Sequence, residues 1–125
     1  MGAKLLFLQS ETNLHGIEEM LTRQGFNVIK TASVVEASTL TLKERPQCVL
    51  IYWGSANPQI LEFPLWLRKE PKFKKTPILI LSSDHDNKLE NFTRAIEAGA
   101  DDFLEFPISP FIFLSKVAAW VRRSS

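Results

Sequence analysis

The chain has 125 residues, of which 45% are apolar and 23% charged, and its formal net charge is +1. That length suits one domain with a proper core, and the near-neutral balance supplies no global field to steer it toward nucleic acid or an anionic membrane. A lone Cys48 excludes an internal disulfide, and no apolar run approaches a signal-peptide core or a membrane span. The expectation is a cytoplasmic protein with a buried, reduced thiol.

Leu5 to Leu8 is a short continuous apolar run, the pattern of a strand covered on both faces. Thr12 or Asn13 then offers a cap for a helix to about Gln24, with Leu14, Ile17 and Leu21 at helical spacing and Gly25 as its stop. Phe26 to Ile29 reads as the second strand. Ser33, followed three residues later by Glu36, has capping-box spacing and opens a helix to Glu44 with Ala37, Leu40 and Leu42 as apolar positions. Cys48 to Tyr52 is the third strand. A loop over Gly54 to Ile60 leads to a helix carrying Leu61, Leu65 and Leu67 as far as Lys69. Pro64 is tolerable only in its first turn, and Pro71 ends it. Pro77 opens the fourth strand, Ile78 to Leu81, which reaches Ser82. A polar loop from Ser83 to Asn87 precedes a helix that runs to Glu97 and stops at Gly99. Asp102 to Glu105 is a short fifth strand, and Pro107 and Pro110 flank the start of a last helix ending near Arg123.

Strands alternating with helices in this way predict the α/β class, with helices on both faces of a five-stranded parallel sheet. In such sheets ligands and catalytic groups collect at the C-terminal edge of the strands. Here the strands finish in Gln9-Ser10, Tyr52, Ser82 and Phe106, with Glu11 as the one nearby carboxylate. An amide, hydroxyls and aromatic rings argue against metal-assisted or phosphoryl chemistry and for a domain that binds. No glycine-rich phosphate loop occurs and no nucleophile, base and orienter assemble, so no catalytic residue is assigned. His15 falls in the first helix. His85, between Asp84 and Asp86, reads as solvated loop rather than a metal cluster, and the runs Lys72, Lys74, Lys75 and Arg122, Arg123 read as solvated surface.

The stretch Gly99-Ala100-Asp101-Asp102-Phe103-Leu104-Glu105-Phe106-Pro107 resembles the Gly-Ala-Asp-Asp-Tyr-Leu-x-Lys-Pro segment of bacterial response-regulator receiver domains of two-component systems, the CheY-like family. Pro46 to Tyr52 resembles the strand that carries the family's phosphoacceptor aspartate. Leu67 to Pro71 resembles the end of the helix after it, and Pro77 to Ser83 the strand bearing the family's hydroxyl. The resemblance runs from Lys4 to Arg123. It implies a flavodoxin-like, CheY-like three-layer sandwich with strand order 2-1-3-4-5 and a cis Phe106–Pro107 bond. Residues 1–125 would form a single receiver-like domain, either cut from a longer protein or free-standing.

The same resemblance places the acidic magnesium-binding pair on Gln9 and Ser10, the acceptor aspartate on Tyr52 and the phosphoryl-pairing lysine on Phe106. Ser82 keeps the hydroxyl, Phe103 keeps the switch aromatic, and Glu11 is a peripheral neighbour. Magnesium requires hard oxygen ligands, normally carboxylates, and a phenol cannot become an acyl phosphate. The expected function is therefore that of a degenerate pseudo-receiver in signal transduction, not an enzyme, acting by phosphorylation-independent protein–protein contact without cofactor or metal. A small-molecule sensor using the degenerate cleft is the alternative. Expected partners are a signalling protein or an output domain, or a second copy in a homodimer, with no direct nucleic-acid contact and no membrane.

Within the pocket, Tyr52 is expected to fill the old site or gate it with Ser82, Phe106 to pack alongside, and Trp53 or Trp66 to cover the edge. The run Phe111-Ile112-Phe113-Leu114 exceeds what one helix face can bury. Phe113 or Leu114, Val117 and Trp120 or Val121 are expected to face the sheet, leaving Phe103, Phe111 and Ile112 as the candidate interface.

Overall fold

The computed structural model describes residues 2–9, 15–53 and 58–124. Five strands, β1 (Lys4–Gln9), β2 (Asn27–Thr31), β3 (Cys48–Tyr52), β4 (Ile78–Ser82) and β5 (Asp102–Glu105), form one sheet in the order β2-β1-β3-β4-β5. Every pairing is parallel. The helices are α1 (Ile17–Arg23), α2 (Val34–Glu44), α3 (Glu62–Lys69), α4 (Lys88–Glu97) and α5 (Pro110–Arg123).

Side chains alternate across each strand, so the apolar runs feed two cores. Leu6, Leu8, Val49, Ile51, Ile78 and Ile80 pack with residues of α2, α3 and α4. Leu5, Phe7, Leu50, Leu79 and Leu81 pack with Ile17 and Leu21 of α1 and Phe113 and Val117 of α5. β3 and β4 are buried at every residue, which is why their sequences are continuously apolar. The result is the expected three-layer sandwich.

Several element boundaries differ from the sequence reading. α1 begins at Ile17 behind Gly16, which sits at φ 64° and lends no side-chain cap. Thr12, Asn13 and Leu14 lie outside the described residues. His15 precedes the helix instead of riding on it. At α2, Ser33 Oγ accepts from Glu36 N at 3.2 Å as the capping box requires. The reciprocal arm is relayed: the Glu36 carboxylate takes the Thr31 hydroxyl, and Thr31 Oγ1 accepts from Ser33 N at 3.2 Å. Leu42 is exposed on α2 while Thr41 is buried, its hydroxyl satisfied by Ala37 O at 2.7 Å. On α3, Phe63, Pro64 and Leu67 are buried and Leu65 faces out, with Pro64 in the first turn as expected.

One arginine ties the second half of the chain together. Arg68 of α3 donates from Nε to Gly99 O at 2.9 Å, from Nη1 to Thr76 O at 2.7 Å and Lys74 O at 3.1 Å, and from Nη2 to Asp101 Oδ2 at 2.6 Å. Asp101 Oδ2 also accepts from Ile78 N at 2.9 Å. With Phe73 O accepting from Nη1 at 3.4 Å, the planar guanidinium thus caps four backbone carbonyls and a carboxylate that pins the start of β4. Gly99, at φ 104°, is needed twice over: a Cβ there would lie 2.7 Å from Arg68 Cγ.

Candidate functional site

The C-terminal edge of the sheet brings Gln9, Tyr52, Ser82 and Phe106 onto one side of the molecule. Gln9 lies opposite Tyr52 in register, Tyr52 opposite Leu81, and Ser82 opposite Glu105. Phe106 N donates to Ser82 O at 2.7 Å, and the Phe106–Pro107 peptide is cis. Ser10 and Glu11 lie outside the described residues.

Strand alternation then decides which side chains meet. Tyr52 and Phe106 belong to the core shared with α1 and α5. Ser82 has the parity of Ile78 and Ile80 and points to the opposite face, where its Oγ accepts from Asp84 N at 3.1 Å. The hydroxyl that reaches Tyr52 is therefore that of Ser83, at 2.8 Å, and not that of Ser82. Trp53 turns away into the α2–α4 core, and Trp66 stacks on Phe63 at 6.1 Å. Neither tryptophan covers the edge beside Tyr52.

His15 completes the arrangement. Its Nε2 lies 2.8 Å from Ser83 Oγ, and its ring is 5.2 Å from that of Phe106 and 6.3 Å from that of Tyr52. Phe106 in turn meets Phe113 of α5 edge-to-face at 5.2 Å. Tyr52 is 5% exposed and Phe106 1%. A serine hydroxyl has one donor and two acceptor sites. The chain therefore runs Tyr52 to Ser83 to His15 when Nε2 is bare, and reverses when Nε2 carries the proton. Either way the buried phenol has a hydrogen-bond partner. His15 and Ser83 were missed in the sequence. Ser83 was legible, because it shares the parity of Leu81, whereas His15 reaches the site from outside any regular element.

Beside the site, the loop after β4 carries a carboxylate. The amides of Asn87 and Asn91 bond the Asp84 carboxylate at 3.2 and 3.1 Å and hold its pKa below the usual carboxylate value. That carboxylate fastens the loop after β4 onto α4. His85 does not join it in a metal site: among the described residues no cluster of three or more His, Cys, Asp and Glu side chains is placed to hold an ion. At the other end of β3, burial and then the nearby Asp101 carboxylate push the Cys48 thiol up to about 12.

A second feature lies on α4, β5 and α5. Phe103 is half-buried and meets Phe92 of α4 edge-to-face at 5.9 Å. Leu89, Phe92 and Ile96 lie on one side of α4 and are 79%, 48% and 43% exposed. Phe113 and Val117 of α5 are fully buried, leaving Phe111 79% and Ile112 46% exposed. The sequence reading found the α5 members. It placed the surface on the last two helices and the strand between them but named no residue of α4, whose i, i+3, i+7 spacing resembles an ordinary core stripe.

No family model matches the chain. Transcriptional regulatory protein YxdJ of Bacillus subtilis strain 168 is 25% identical over 122 residues, 97% of this chain and 51% of the relative. Transcriptional regulatory protein SrrA of Staphylococcus aureus strain NCTC 8325 is 27% identical over 127 residues, 99% of this chain and 50% of the relative. The chain thus spans about half the length of the curated relatives it matches. Among solved structures, chemotaxis response regulator CheY4 of Vibrio cholerae superposes with TM-score 0.79 at 22% identity, covering 96% of this chain and 99% of that one. The receiver domain of sensor histidine kinase PA1611 from Pseudomonas aeruginosa PAO1, which holds magnesium in its active-site cleft, gives TM-score 0.79 at 19% identity over 97% and 98% of the two chains. A chain from Chloroflexus aurantiacus J-10-fl reaches TM-score 0.86 at 24% identity over 98% and 99%. The fold of this chain is that of the CheY-like receiver domains.

Proposed function

We propose that this chain is a receiver-like signalling domain that works through protein–protein contact and without aspartyl phosphorylation. The observation that carries the reading is Tyr52. It ends β3 where the resemblance puts the phosphoacceptor, and its hydroxyl is held by Ser83 and through it by His15. Phe106 occupies the position of the phosphoryl-pairing lysine and is packed between His15 and Phe113. A buried, unpaired lysine there would carry a desolvation penalty once its carboxylate partners are replaced, so the two replacements are mutually consistent. Among the described residues the site is held by hydrogen bonds and ring contacts, and β3 ends in a phenol that offers no carboxylate for an acyl phosphate. The small-molecule sensor reading is less well supported, because Tyr52 and Phe106 are themselves buried in the cleft a ligand would fill.

The exposed apolar members of α4 and α5, with Phe103 between them, are the contact surface in this reading. Relatives twice as long, named as transcriptional regulatory proteins, support an output domain or a signalling protein as partner, with a homodimer as the form in which two such faces meet. No described helix is long and apolar enough to cross a membrane. Incubation with a small phosphodonor and magnesium, followed by intact mass, tests the reading. The expected spectrum is unchanged; a stoichiometric, hydroxylamine-labile gain of about 80 Da would overturn it.

A further inference from the structure

Two basic runs that are far apart in sequence converge at the opposite end of the sheet. Lys72 and Lys75, after α3, and Arg123, at the end of α5, line one concavity of about 390 Å³ beneath the entries to β3 and β4. Gln47, Thr76 and Ser124 add an amide and two hydroxyls, and among the described residues no carboxylate lines it. Arg123 is held there: its guanidinium lies 4.6 Å from the centre of the Trp120 ring, and Trp120 Nε1 donates to Asp102 Oδ2 at 3.2 Å. No ion pair engages Lys72, Lys75 or Arg123 among the described residues.

We infer that this concavity is an anion site for a small molecule bearing a diphosphate or a comparably charged phosphate group. Three positive charges converge on one space and no carboxylate among the described residues pairs with them, so a multiply charged anion gains from all three at once. α5 ends there and contributes about half a negative charge, which three full cations outweigh. The guanidinium fork and the lysine ammonium groups match phosphate oxygens, with the hydroxyls and the amide as further donors. A small ligand is favoured over a polymer for two reasons. The volume falls in the range of small-molecule pockets, about 300–1,000 Å³. The chain's net charge of +1 leaves no broad basic face for nucleic acid or an anionic membrane to lie along. The site stands at the far end of the strands from Tyr52, so its occupancy does not depend on chemistry there.

Calorimetric titration of the chain with inorganic pyrophosphate at low and high salt tests this. Saturable one-to-one binding is expected, weakened by salt and by about tenfold for each of Lys72→Ala, Lys75→Ala and Arg123→Ala. Lys74→Ala and Arg122→Ala remove the same charge without touching the concavity and should bind like the parent chain. Equal losses in those two variants would reduce the effect to net charge and overturn the site. So would the absence of saturable pyrophosphate binding, or tighter binding of single-stranded nucleic acid or anionic vesicles than of pyrophosphate. All five side chains lie on the exposed surface, so folding is retained and far-ultraviolet circular dichroism provides the check.

Discussion

Replacing Phe106 with lysine restores the residue type the receiver resemblance places there, and the structure says the domain should resist it. The ring is 1% exposed and packs against His15 and Phe113, each at 5.2 Å. Burying a phenylalanine side chain is worth about 1.5–3 kcal/mol, and the edge-to-face pair with Phe113 adds about 0.5–1.5 kcal/mol. The lysine stem recovers part of the apolar contact, but the ammonium must be desolvated or must force the rings apart. A net loss of about 2–4 kcal/mol follows. Urea denaturation measures it as a lower midpoint, and Phe106→Leu, which keeps an apolar side chain, should lose only about 1 kcal/mol. The charge component has its own signature. A desolvated lysine has a pKa below its unfolded value of about 10.4, so the unfolded chain binds more protons between the two values and stability rises with pH in that window. The gap between Phe106→Lys and the parent chain should therefore narrow as pH approaches 10.4. An unchanged midpoint and slope for Phe106→Lys would refute the argument that the ring is a packing element.

Three further outcomes follow from other residues. Arg68→Ala should cost about 2–3 kcal/mol in urea, since several carbonyls and the Asp101 carboxylate lose their donor but water reaches part of the site; Gly99→Ala should be destabilising as well, through both the Arg68 contact and φ 104°. Cys48 should resist thiol reagents until the chain unfolds, and because its folded pKa of about 12 lies above its unfolded value, its contribution to stability is intact at neutral pH and is lost as pH rises through about 9 to 12, which a pH series of denaturation midpoints reads directly. Phe92→Asp and Phe111→Asp should leave the fold intact and lower self-association or partner capture, measured by light scattering and pull-down; a folded pair of variants with both unchanged would remove α4 and α5 from the interface.

The architecture was legible wherever burial on both faces leaves a continuous apolar run, as in Cys48–Tyr52 and Ile78–Ser82. Ser33 and Glu36 marked the start of α2 correctly because capping is local chemistry. Legibility failed where cap preference and hydrophobicity did not decide the outcome. Thr12 and Asn13 are better caps than Gly16, yet α1 begins after the glycine. Thr41 is buried because its hydroxyl bonds back to Ala37 O, so Leu42 turns outward despite its greater hydrophobicity. At the sheet edge, Gln9, Tyr52, Ser82 and Phe106 lie together as strand order predicts, but the hydroxyl that meets Tyr52 is that of Ser83 and not of Ser82, which strand parity explains. His15 could not be placed from sequence: a lone histidine beyond a strand end has no address until the chain folds. The same holds for Lys72, Lys75 and Arg123, which read as separate solvated runs and are neighbours only in three dimensions.

β5 is the outermost strand on its side of the sheet, and it is four residues long. An acidic residue stands at each end of it. Lys116 Nζ lies 3.3 Å from Asp102 and Lys88 Nζ 3.6 Å from Glu105, so both carboxylates are already engaged by the flanking helices. A foreign strand seeking to extend the sheet would gain few backbone hydrogen bonds and would have to pull two carboxylates from their lysines. The chain can therefore leave Leu89, Phe92 and Phe111 open to solvent beside that strand without offering a template for open-ended β-association. Contact at this face would have to be made by helix side chains and not by adding a strand to β5.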